Sequence, residues 1–195
     1  DGSISNSQVA PTIITGQTAE TSIATDDLIL LSDTSASGAL KKMTRANFVS
    51  GVGGTNTPAF FAFISGSAIS FGSGAYTTVA FNGERFDTAS AYNTSTGKFT
   101  VPSGQGGTYF FAANLMIGDN VSRFIVRMQK NGSSIMFNDT DVSNAPDTNF
   151  GSTIISCSAG DEIRVQFYHD KGSNADLAYS STGEANYFYG YKLIT

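Results

Sequence analysis

The residues best suited to covalent chemistry in this sequence are one histidine and one cysteine. His169 stands in the run FYHDKG, and no Gly-x-Ser-x-Gly nucleophile elbow with a partner acid accompanies it. Cys157 closes the apolar run IISC, a setting typical of a small buried hydrophobe rather than of a reactive thiol. We therefore predict that His169 lies on the surface at the end of a strand, that Cys157 is buried, and that neither is catalytic.

Carboxylates offer a second kind of chemistry, because hydrolysis of a glycosidic bond needs two of them across a groove. The isolated carboxylates are Glu84, Asp87, Glu162 and Glu184. They are scattered along the sequence, which does not pair any two of them. We therefore expect no enzymatic activity. The densest oxygen donors lie in the segment NDTDVSNAPD, whose spacing matches no EF-hand loop. We predict a solvated, turn-rich loop there, with calcium at Asp139 and Asp141 as the alternative.

Bulk composition excludes several other classes of function. Of the 195 residues 40% are hydrophobic and 14% are charged, which makes a packed core feasible and disfavours long surface helices. The formal net charge is −5 without a cluster of Lys and Arg, which excludes a nucleic-acid-binding footprint. No apolar run approaches the roughly 18 residues of a membrane span, and no signal-peptide pattern is present. A single cysteine allows no intrachain disulfide, so we expect oligomerisation to stabilise the chain.

Four segments follow one another along the chain. Residues 1–18 are polar and are interpreted as an extended arm. Residues 19–54 are interpreted as a small module, with a short strand in DLILL and a short helix capped by Thr44. Residues 55–58 form a linker by composition, and residues 59–195 form the head. The first residue is Asp1 rather than Met, so we expect a processed chain or a piece of a longer one.

Hydrophobic alternation with period two dominates the head and predicts β-strands throughout it. The run RFIVRMQK alternates, and the pair Asn131-Gly132 that follows it is the strongest hairpin signal in the sequence. The stretch Tyr92–Phe111 contains two strands, a turn with Gly97 and a Pro/Gly-rich connection. We predict no helix in the head and therefore an all-β sandwich or barrel.

Several motifs of the head coincide with those of a known family. The spacing of its aromatic and acidic positions resembles the signature of the complement C1q globular-head family, which shares its fold with tumour necrosis factor. The signature residues are Phe81, Asp87, Tyr92 and Phe99, followed by Gly107, Tyr109 and Phe111. The Lys-Asn-Gly hairpin, the turn Gly160–Glu162 and the final strand Phe188–Leu193 are similar to later motifs of that family. Two features depart from the pattern: the gap from Phe99 to Gly107 is two residues longer, and Ala113 replaces an aromatic residue.

This resemblance implies an all-β jelly-roll sandwich of the C1q/TNF type that assembles as a homotrimer, with the chain ends at the base and loops at the apex. It implies no catalytic activity. The composition agrees, because 15 Phe and 8 Tyr are more rings than one sandwich need bury. By period two, Tyr187, Tyr189 and Tyr191 share one face of the last strand. The residues predicted in the core or the trimer interface are Phe81, Tyr92, Phe99, Tyr109, Phe111, Tyr187, Tyr189 and Tyr191.

A second resemblance concerns the small module. The segment Asp26–Val52 resembles a short module of bacteriophage tail-fibre and appendage proteins, which stands between the virion-attached part and a distal head. It implies a fibre or spike on the virion surface of a phage or phage-like particle. The expected partners are other virion proteins through the N-terminal region, further copies of this chain, and a glycan or protein on the host surface. We expect no cofactor, no nucleic acid and no membrane insertion.

The apical loops of the head are expected to contact that receptor, because they are long, polar and turn-rich. They are predicted at Asp119–Ser122, Asn138–Asn149 and Lys171–Asn186, with Tyr179 as the ring best placed to stack on a sugar. The candidate receptor-binding residues are Asp119, Asn120, Asn138, Asp139, Asp141, Asn144, Asp147, Asn174, Asp176 and Tyr179. One alternative is a decoration or cap protein without a receptor role. The other is a secreted ligand, which the absence of a collagen-like Gly-x-y stalk and of disulfides disfavours.

Overall fold

The structure is a computed structural model that describes residues 15–16, 18–19, 22–50, 56–179 and 185–193. The chain divides into two compact units, Asp1–Gly53 and Gly54–Thr195. Most of the predicted arm and part of the predicted linker lie outside the described residues. Within the described part of the chain, no helix is long and apolar enough to cross a membrane.

The first unit contains a two-stranded hairpin followed by one short helix. Strand β1 (Leu28–Asp33) pairs antiparallel with β2 (Ala39–Thr44), and helix α1 (Arg45–Ser50) follows at once. The Oγ1 atom of Thr44 accepts a hydrogen bond from the Asn47 N–H at 3.3 Å, so Thr44 caps the helix as predicted. The segment Ala39–Thr44 before the helix is a second strand, which the sequence analysis did not assign.

The hairpin of the first unit is held by polar contacts rather than by a core. The carboxylate of Asp33 caps the 3-10 turn Thr34–Ala36 between the strands and pairs with the Lys41 ammonium at 2.8 Å. Gly38, with φ 82°, completes the reversal in a conformation that favours glycine. None of the described residues of this unit is buried, and its leucines on both strands are mostly exposed. The two short strands are therefore stabilised by local contacts within the hairpin.

The second unit is the head, whose described residues form thirteen strands and no helix. The strands are β3 (Ala59–Phe63), β4 (Ile69–Phe71), β5 (Thr77–Thr78), β6 (Gly83–Asp87), β7 (Tyr92–Asn93), β8 (Lys98–Thr100), β9 (Gly107–Ile117), β10 (Val121–Lys130), β11 (Ser133–Val142), β12 (Asp147–Cys157), β13 (Glu162–His169), β14 (Ala175–Leu177) and β15 (Tyr187–Lys192). Sheet I has the order β11-β10-β13-β8-β7, with β5 also paired to β13. Sheet II has the order β4-β14-β9-β15-β3-β6, with β12 also paired to β9. The two antiparallel sheets form the predicted jelly-roll sandwich.

The core lies between the two sheets and is largely aromatic. At its centre, the ring of Phe60 stacks on Phe99 with 4.7 Å between centroids and on Tyr92 with 5.3 Å. The ring of Phe188 meets Phe60 edge-on at 4.9 Å. The predicted residues that the structure buries are Phe81, Tyr92, Phe99, Tyr109 and Phe111. Burial of each such ring stabilises the fold by about 1.5–3 kcal/mol, so this cluster is the main apolar contribution to the head.

The two buried tyrosines keep their hydroxyl groups hydrogen-bonded. The Tyr92 hydroxyl oxygen accepts from the Phe81 N–H at 3.0 Å, and the Tyr109 hydroxyl donates to the Gln105 carbonyl at 2.6 Å. Burial raises the pKa of Tyr92 above its usual range and that of Tyr109 to about 12. Gln105 lies in the segment Ser103–Gly107, which the sequence marks as lengthened. The lengthened turn is therefore anchored to a core side chain.

The hairpin between β10 and β11 has the turn that its sequence predicts. Asn131 and Gly132 have φ of 51° and 86°. Both central residues therefore have the positive φ that a two-residue type I′ turn requires. The side-chain amide of Gln129 donates to the Gly132 carbonyl at 2.8 Å, and this hydrogen bond stabilises the turn. The turn sets the pairing of two long strands and thereby the shape of one edge of sheet I.

His169 is buried inside the sandwich, and the prediction that it lies on the surface is wrong. It has no exposed surface, its ring stacks on Phe167 at 5.2 Å, and its Nε2 atom lies 3.1 Å from the Phe71 carbonyl oxygen. Ile163, Val165 and Phe167 occupy the core side of β13, and the same period of two places the histidine there. His169 is therefore a hydrogen-bonded core residue.

All three predicted loops are partly strands. The segment Asp119–Ser122 includes Val121 and Ser122, the first residues of β10. The segment Asn138–Asn149 covers the end of β11 and the start of β12, so that only residues 143–146 connect them. The segment Lys171–Asn186 contains β14, and its residues 180–184 lie outside the described part of the chain. Polar composition suggested loops because much of β11 and β12 is exposed to solvent, where polar residues are compatible with strand pairing.

Candidate functional site

Three connections of the head meet at one end of the sandwich. They are residues 118–120 after β9, residues 143–146 after β11 and residues 170–174 after β13, and we call them the apical loops. Ile117, the last residue of β9, is the register partner of both Asp147 and Leu177. The ends of the head lie at the opposite end of the same sheet, where Ala59 pairs with Tyr191. The apical loops are thus remote from the point at which the chain enters and leaves the head.

Polar contacts between the apical loops set their relative positions. The Lys171 ammonium lies 2.6 Å from the Asp119 carboxylate and also donates to the Asn174 carbonyl at 3.1 Å. The Lys171 hydrogen bond lowers the pKa of Asp119. The side-chain oxygen of Asn120 accepts from the Ala145 N–H at 2.8 Å. Asp119 and Asn120 therefore organise the loops, because their oxygens are engaged by neighbouring loops.

Other predicted residues of this end present their side chains to solvent. Asp141, Asn144, Asp147, Asn174, Asp176 and Tyr179 are all exposed. Tyr179 follows β14 and keeps 42% of its surface accessible. These side chains surround the ordered loops and are the ones available to a binding partner at this end.

Asn138 and Asp139 do not belong to the apical loops, because both lie within β11. The side-chain amide of Asn138 donates to Asn149 Oδ1 at 2.7 Å. Oδ2 of Asp139 accepts from Arg123 Nη2 at 2.6 Å and from Arg123 Nε at 3.0 Å. Among the described residues, no group of three or more His, Cys, Asp or Glu side chains could hold a metal ion. Calcium at Asp139 and Asp141 stays a prediction, with Asp139 engaged by an arginine.

The outer side of sheet II carries a continuous group of aromatic rings. We call it the aromatic face, and its members are Phe61, Phe86, Phe110, Tyr187, Tyr189 and Tyr191. Tyr189 is central: its ring centroid lies 5.7 Å from that of Phe61 and 5.9 Å from that of Phe110. The three tyrosines share this face as predicted, while Phe188 and Gly190 point into the core. The face ends in Phe86, which is 49% exposed, and the other five rings are partly exposed.

The outer side of sheet I carries a group of arginines and glutamines that the sequence analysis missed. Nε and Nη2 of Arg127 both donate to Gln166 Oε1, at 3.1 and 2.6 Å, and Nε of Arg164 donates to Gln129 Oε1 at 3.0 Å. We call these four residues the arginine ladder. The signal was available in RFIVRMQK, where the polar positions alternate with the core positions. The pairing of β10 with β13 places Arg127 opposite Gln166 and Gln129 opposite Arg164, and this pairing cannot be read from the local pattern.

The remaining groups that could carry chemistry are occupied or unreactive. Burial raises the pKa of the Cys157 thiol to about 11, so the thiolate is scarce at neutral pH. Glu162 forms an ion pair with Lys98 at 2.8 Å. Glu184 lies outside the described residues. Within the part of the chain that the structure describes, these side chains are not arranged as a nucleophile with its base.

Comparison with known proteins places this architecture in a family. The model of the C1q domain matches residues 59–193. No curated protein matches the sequence. A solved structure of the globular domain of zebrafish complement 1qA protein is similar, with a TM-score of 0.52 and 15% identity over 71% of this chain and 98% of that one.

Two further solved structures share the fold. Murine APRIL has a TM-score of 0.53 and 13% identity over 69% of this chain and 98% of its own. PRD1 vertex protein P5 has a TM-score of 0.55 and 14% identity over 72% of this chain and all of its own. At such identities the structures show the fold alone. The family model covers most of the chain and the head has the two-sheet jelly-roll arrangement, so this protein belongs to the C1q domain family.

Proposed function

We propose that this protein forms a trimeric fibre or spike of a phage or phage-like particle. Residues 1–54 attach it to other virion proteins, and the C1q-like head contacts a glycan or protein on the host cell surface. The observation that carries the receptor role is the convergence of the apical loops at the end of the head remote from Ala59 and Tyr191. A head attached through its N-terminal side would present that end to the cell.

The aromatic face supports assembly as a homotrimer. Domains of the C1q and TNF type are usually homotrimeric. Phe86, Phe150 and Ile154 on the outer side of sheet II are 49%, 49% and 63% exposed, and Tyr189 lies among neighbouring rings. Apolar surface of this extent is unfavourable in water and favours contact with another protein surface. Association through this face leaves the apical loops at the end of the assembly.

Two observations support a place on a virion. The segment Asp26–Val52 resembles a module of phage tail-fibre and appendage proteins, and none of the residues whose burial the structure describes in it is buried. Such a unit gains stability when it docks on a partner, because it has little core of its own. One of the structures with the same fold is a vertex protein, PRD1 vertex protein P5, and this analogy favours the surface of a particle.

The proposal includes no catalytic activity. Domains of the C1q and TNF type are typically non-enzymatic ligand or structural proteins. His169 is packed against Phe167, and burial keeps the Cys157 thiol protonated at neutral pH. Neither residue is therefore placed to act on a bound substrate.

Binding of the full chain to cells tests the receptor role. Fluorescently labelled protein is measured by flow cytometry on a panel of candidate bacterial hosts, with and without surface polysaccharide purified from the same cells. We expect saturable binding to at least one host, competed by its polysaccharide. Replacing two exposed apical residues, Asn144→Ala with Tyr179→Ala, should weaken it roughly tenfold or more, as loss of central contacts does in other interfaces.

The matched control is Ser103→Ala, which changes an exposed residue at the base of the head. It should leave cell binding unchanged. A protein that is trimeric but binds none of the hosts would contradict the receptor role and favour a decoration or cap protein instead.

A further inference from the structure

We propose that the arginine ladder on the outer side of sheet I binds an acidic polysaccharide whose sugar rings carry carboxylates. This surface is distinct from the apical loops and lies on the opposite face of the sandwich from the aromatic face. It remains open if the head associates through the aromatic face. The inference therefore does not depend on where a receptor binds or on the trimer.

Charge is the first argument, because the two arginines of the ladder are positive and unneutralised in an acidic chain. The formal net charge of the chain is −5. In the described residues neither Arg127 nor Arg164 forms an ion pair, whereas Arg123 on the same side pairs with Asp139 at 2.6 Å. Two guanidinium groups without a carboxylate partner favour a ligand that supplies one.

The second argument is that buried amides orient both guanidinium groups. Gln166 and Gln129 are only 7% and 6% exposed, and each side-chain oxygen accepts from its arginine. An amide oxygen positions a guanidinium without cancelling its charge, and the contacts with Gln166 use two of the five N–H donors of Arg127. In the described part of the chain, no nitrogen of either arginine is buried without a partner. Both arginines are partly exposed, and the N–H groups that the glutamines do not use can hydrogen-bond a planar carboxylate.

Aromatic rings beside the ladder supply the contact that a sugar ring needs. The Arg127 guanidinium lies 3.6 Å from the ring centroid of Tyr76, which holds it by a cation–π contact. Phe137, the register partner of Arg127 on β11, is 53% exposed on the same side of the sheet. A ring exposed next to a cation suits a ligand with an apolar face and an acidic group, as an acidic sugar has.

Spacing favours a polymer over a single small anion. Arg164 lies two residues before Gln166, the register partner of Arg127, so the two arginines occupy diagonal positions whose Cα atoms are about 7–8 Å apart. An open cavity of about 450 Å³ lies beside the ladder. Its lining residues are Asn131, Gly132, Gly160, Glu162 and Arg164. Two neighbouring cations beside an open cavity favour a ligand with several acidic units. The one carboxylate in the cavity lining, Glu162, is paired with Lys98 at 2.8 Å.

Affinity electrophoresis of the full chain tests the proposal. The native protein is run in gels that contain alginate as the carboxylated polymer, heparin as a sulfated one, dextran as a neutral one, or poly(dT) as a nucleic acid. We expect alginate to retard the protein and dextran to leave it unretarded, with less retardation as salt rises. Arg127→Gln with Arg164→Gln should weaken alginate binding roughly tenfold or more, because charge-assisted hydrogen bonds are lost.

The control Lys42→Gln, which removes a positive charge from an exposed site in the first unit, should change the affinity less than about twofold, as screened surface charges do. Arg127→Lys keeps the positive charge but loses the planar guanidinium, so it should also weaken alginate binding. Thermal unfolding of each variant checks that it is folded. Asn144→Ala with Tyr179→Ala should not affect alginate binding, which separates this site from the apex. Absence of alginate retardation, equal effects of the ladder variants and Lys42→Gln, or tighter binding to heparin or poly(dT) than to alginate would overturn the proposal.

Discussion

The ammonium group of Lys171 lies 2.6 Å from the carboxylate of Asp119, and this contact joins two apical loops that are 52 residues apart in the sequence. The second oxygen of Asp119 accepts from the Asp176 N–H at 3.3 Å. One carboxylate thus joins the connection after β9 to the connection after β13 and to β14 itself. The apex is ordered by ionic and polar contacts, so its order should respond to pH and salt.

Asp119→Asn should lower stability by about 0.2–1 kcal/mol at neutral pH, because both partners of the ion pair are roughly one-third exposed. The Lys171 hydrogen bond lowers the pKa of Asp119 below its ordinary 3.8. The stabilisation is therefore present above that value and is lost as the pH falls through the lowered pKa of the folded state. Thermal unfolding of both proteins across this range should show a difference at neutral pH that disappears in acid. Asp176→Asn is the control, and an equal pH-dependent effect there would contradict the assignment.

Phe60→Ala should destabilise the head by about 3–5 kcal/mol, since the ring lies at the centre of the core between Phe99, Tyr92 and Phe188. Urea denaturation followed by tyrosine fluorescence measures the change in free energy of unfolding. Phe137→Ala removes a ring that is 53% exposed and should cost less than about 1 kcal/mol. Similar losses for both variants would mean that Phe60 does not hold the central position.

Tyr189→Lys should prevent assembly while leaving the sandwich folded. The substitution places a charge in the middle of the aromatic face, and burial of that charge in an interface is unfavourable. Sedimentation velocity should show a trimer for the native protein and a smaller species for the variant. Tyr179→Lys, which changes an exposed tyrosine beside the apex, should remain trimeric. A native protein that sediments as a stable monomer would refute the assembly argument.

Cys157 should react slowly with thiol reagents in the folded protein. Burial raises the pKa of its thiol to about 11, so little thiolate is present at pH 8, and the side chain is only 5% exposed. Labelling with a disulfide reagent should be fast in urea and at least about a hundredfold slower in buffer, because reaction then requires opening of the sandwich. Rapid labelling of the native protein would show that β12 is more open than the structure indicates.

The sequence determined much of the core, because period-two alternation marks which side chains of a strand face inward. The resemblance to the C1q family predicts the aromatic signature residues between Phe81 and Phe111 in the core or the trimer interface, and the structure buries them in the core. The hairpin at Asn131-Gly132 follows from its turn residues. The same period placed the tyrosines of β15 on one outer face. The same period also places His169 in the core. We predicted a surface position because the side chain is polar, and that prediction was wrong.

The tertiary structure decided which distant residues meet. Two examples are the contact of Lys171 with Asp119 and the pairing of Arg127 with Gln166. Both depend on strand order and register, which local periodicity does not contain. Composition was also misleading in the segment Asn138–Asn149, where exposed polar residues continue two paired strands instead of forming a loop. Local pattern determines which side chains are buried, because burial follows from the period of the strand. The pairing of strands determines which surface groups act together, because it sets the distances between them.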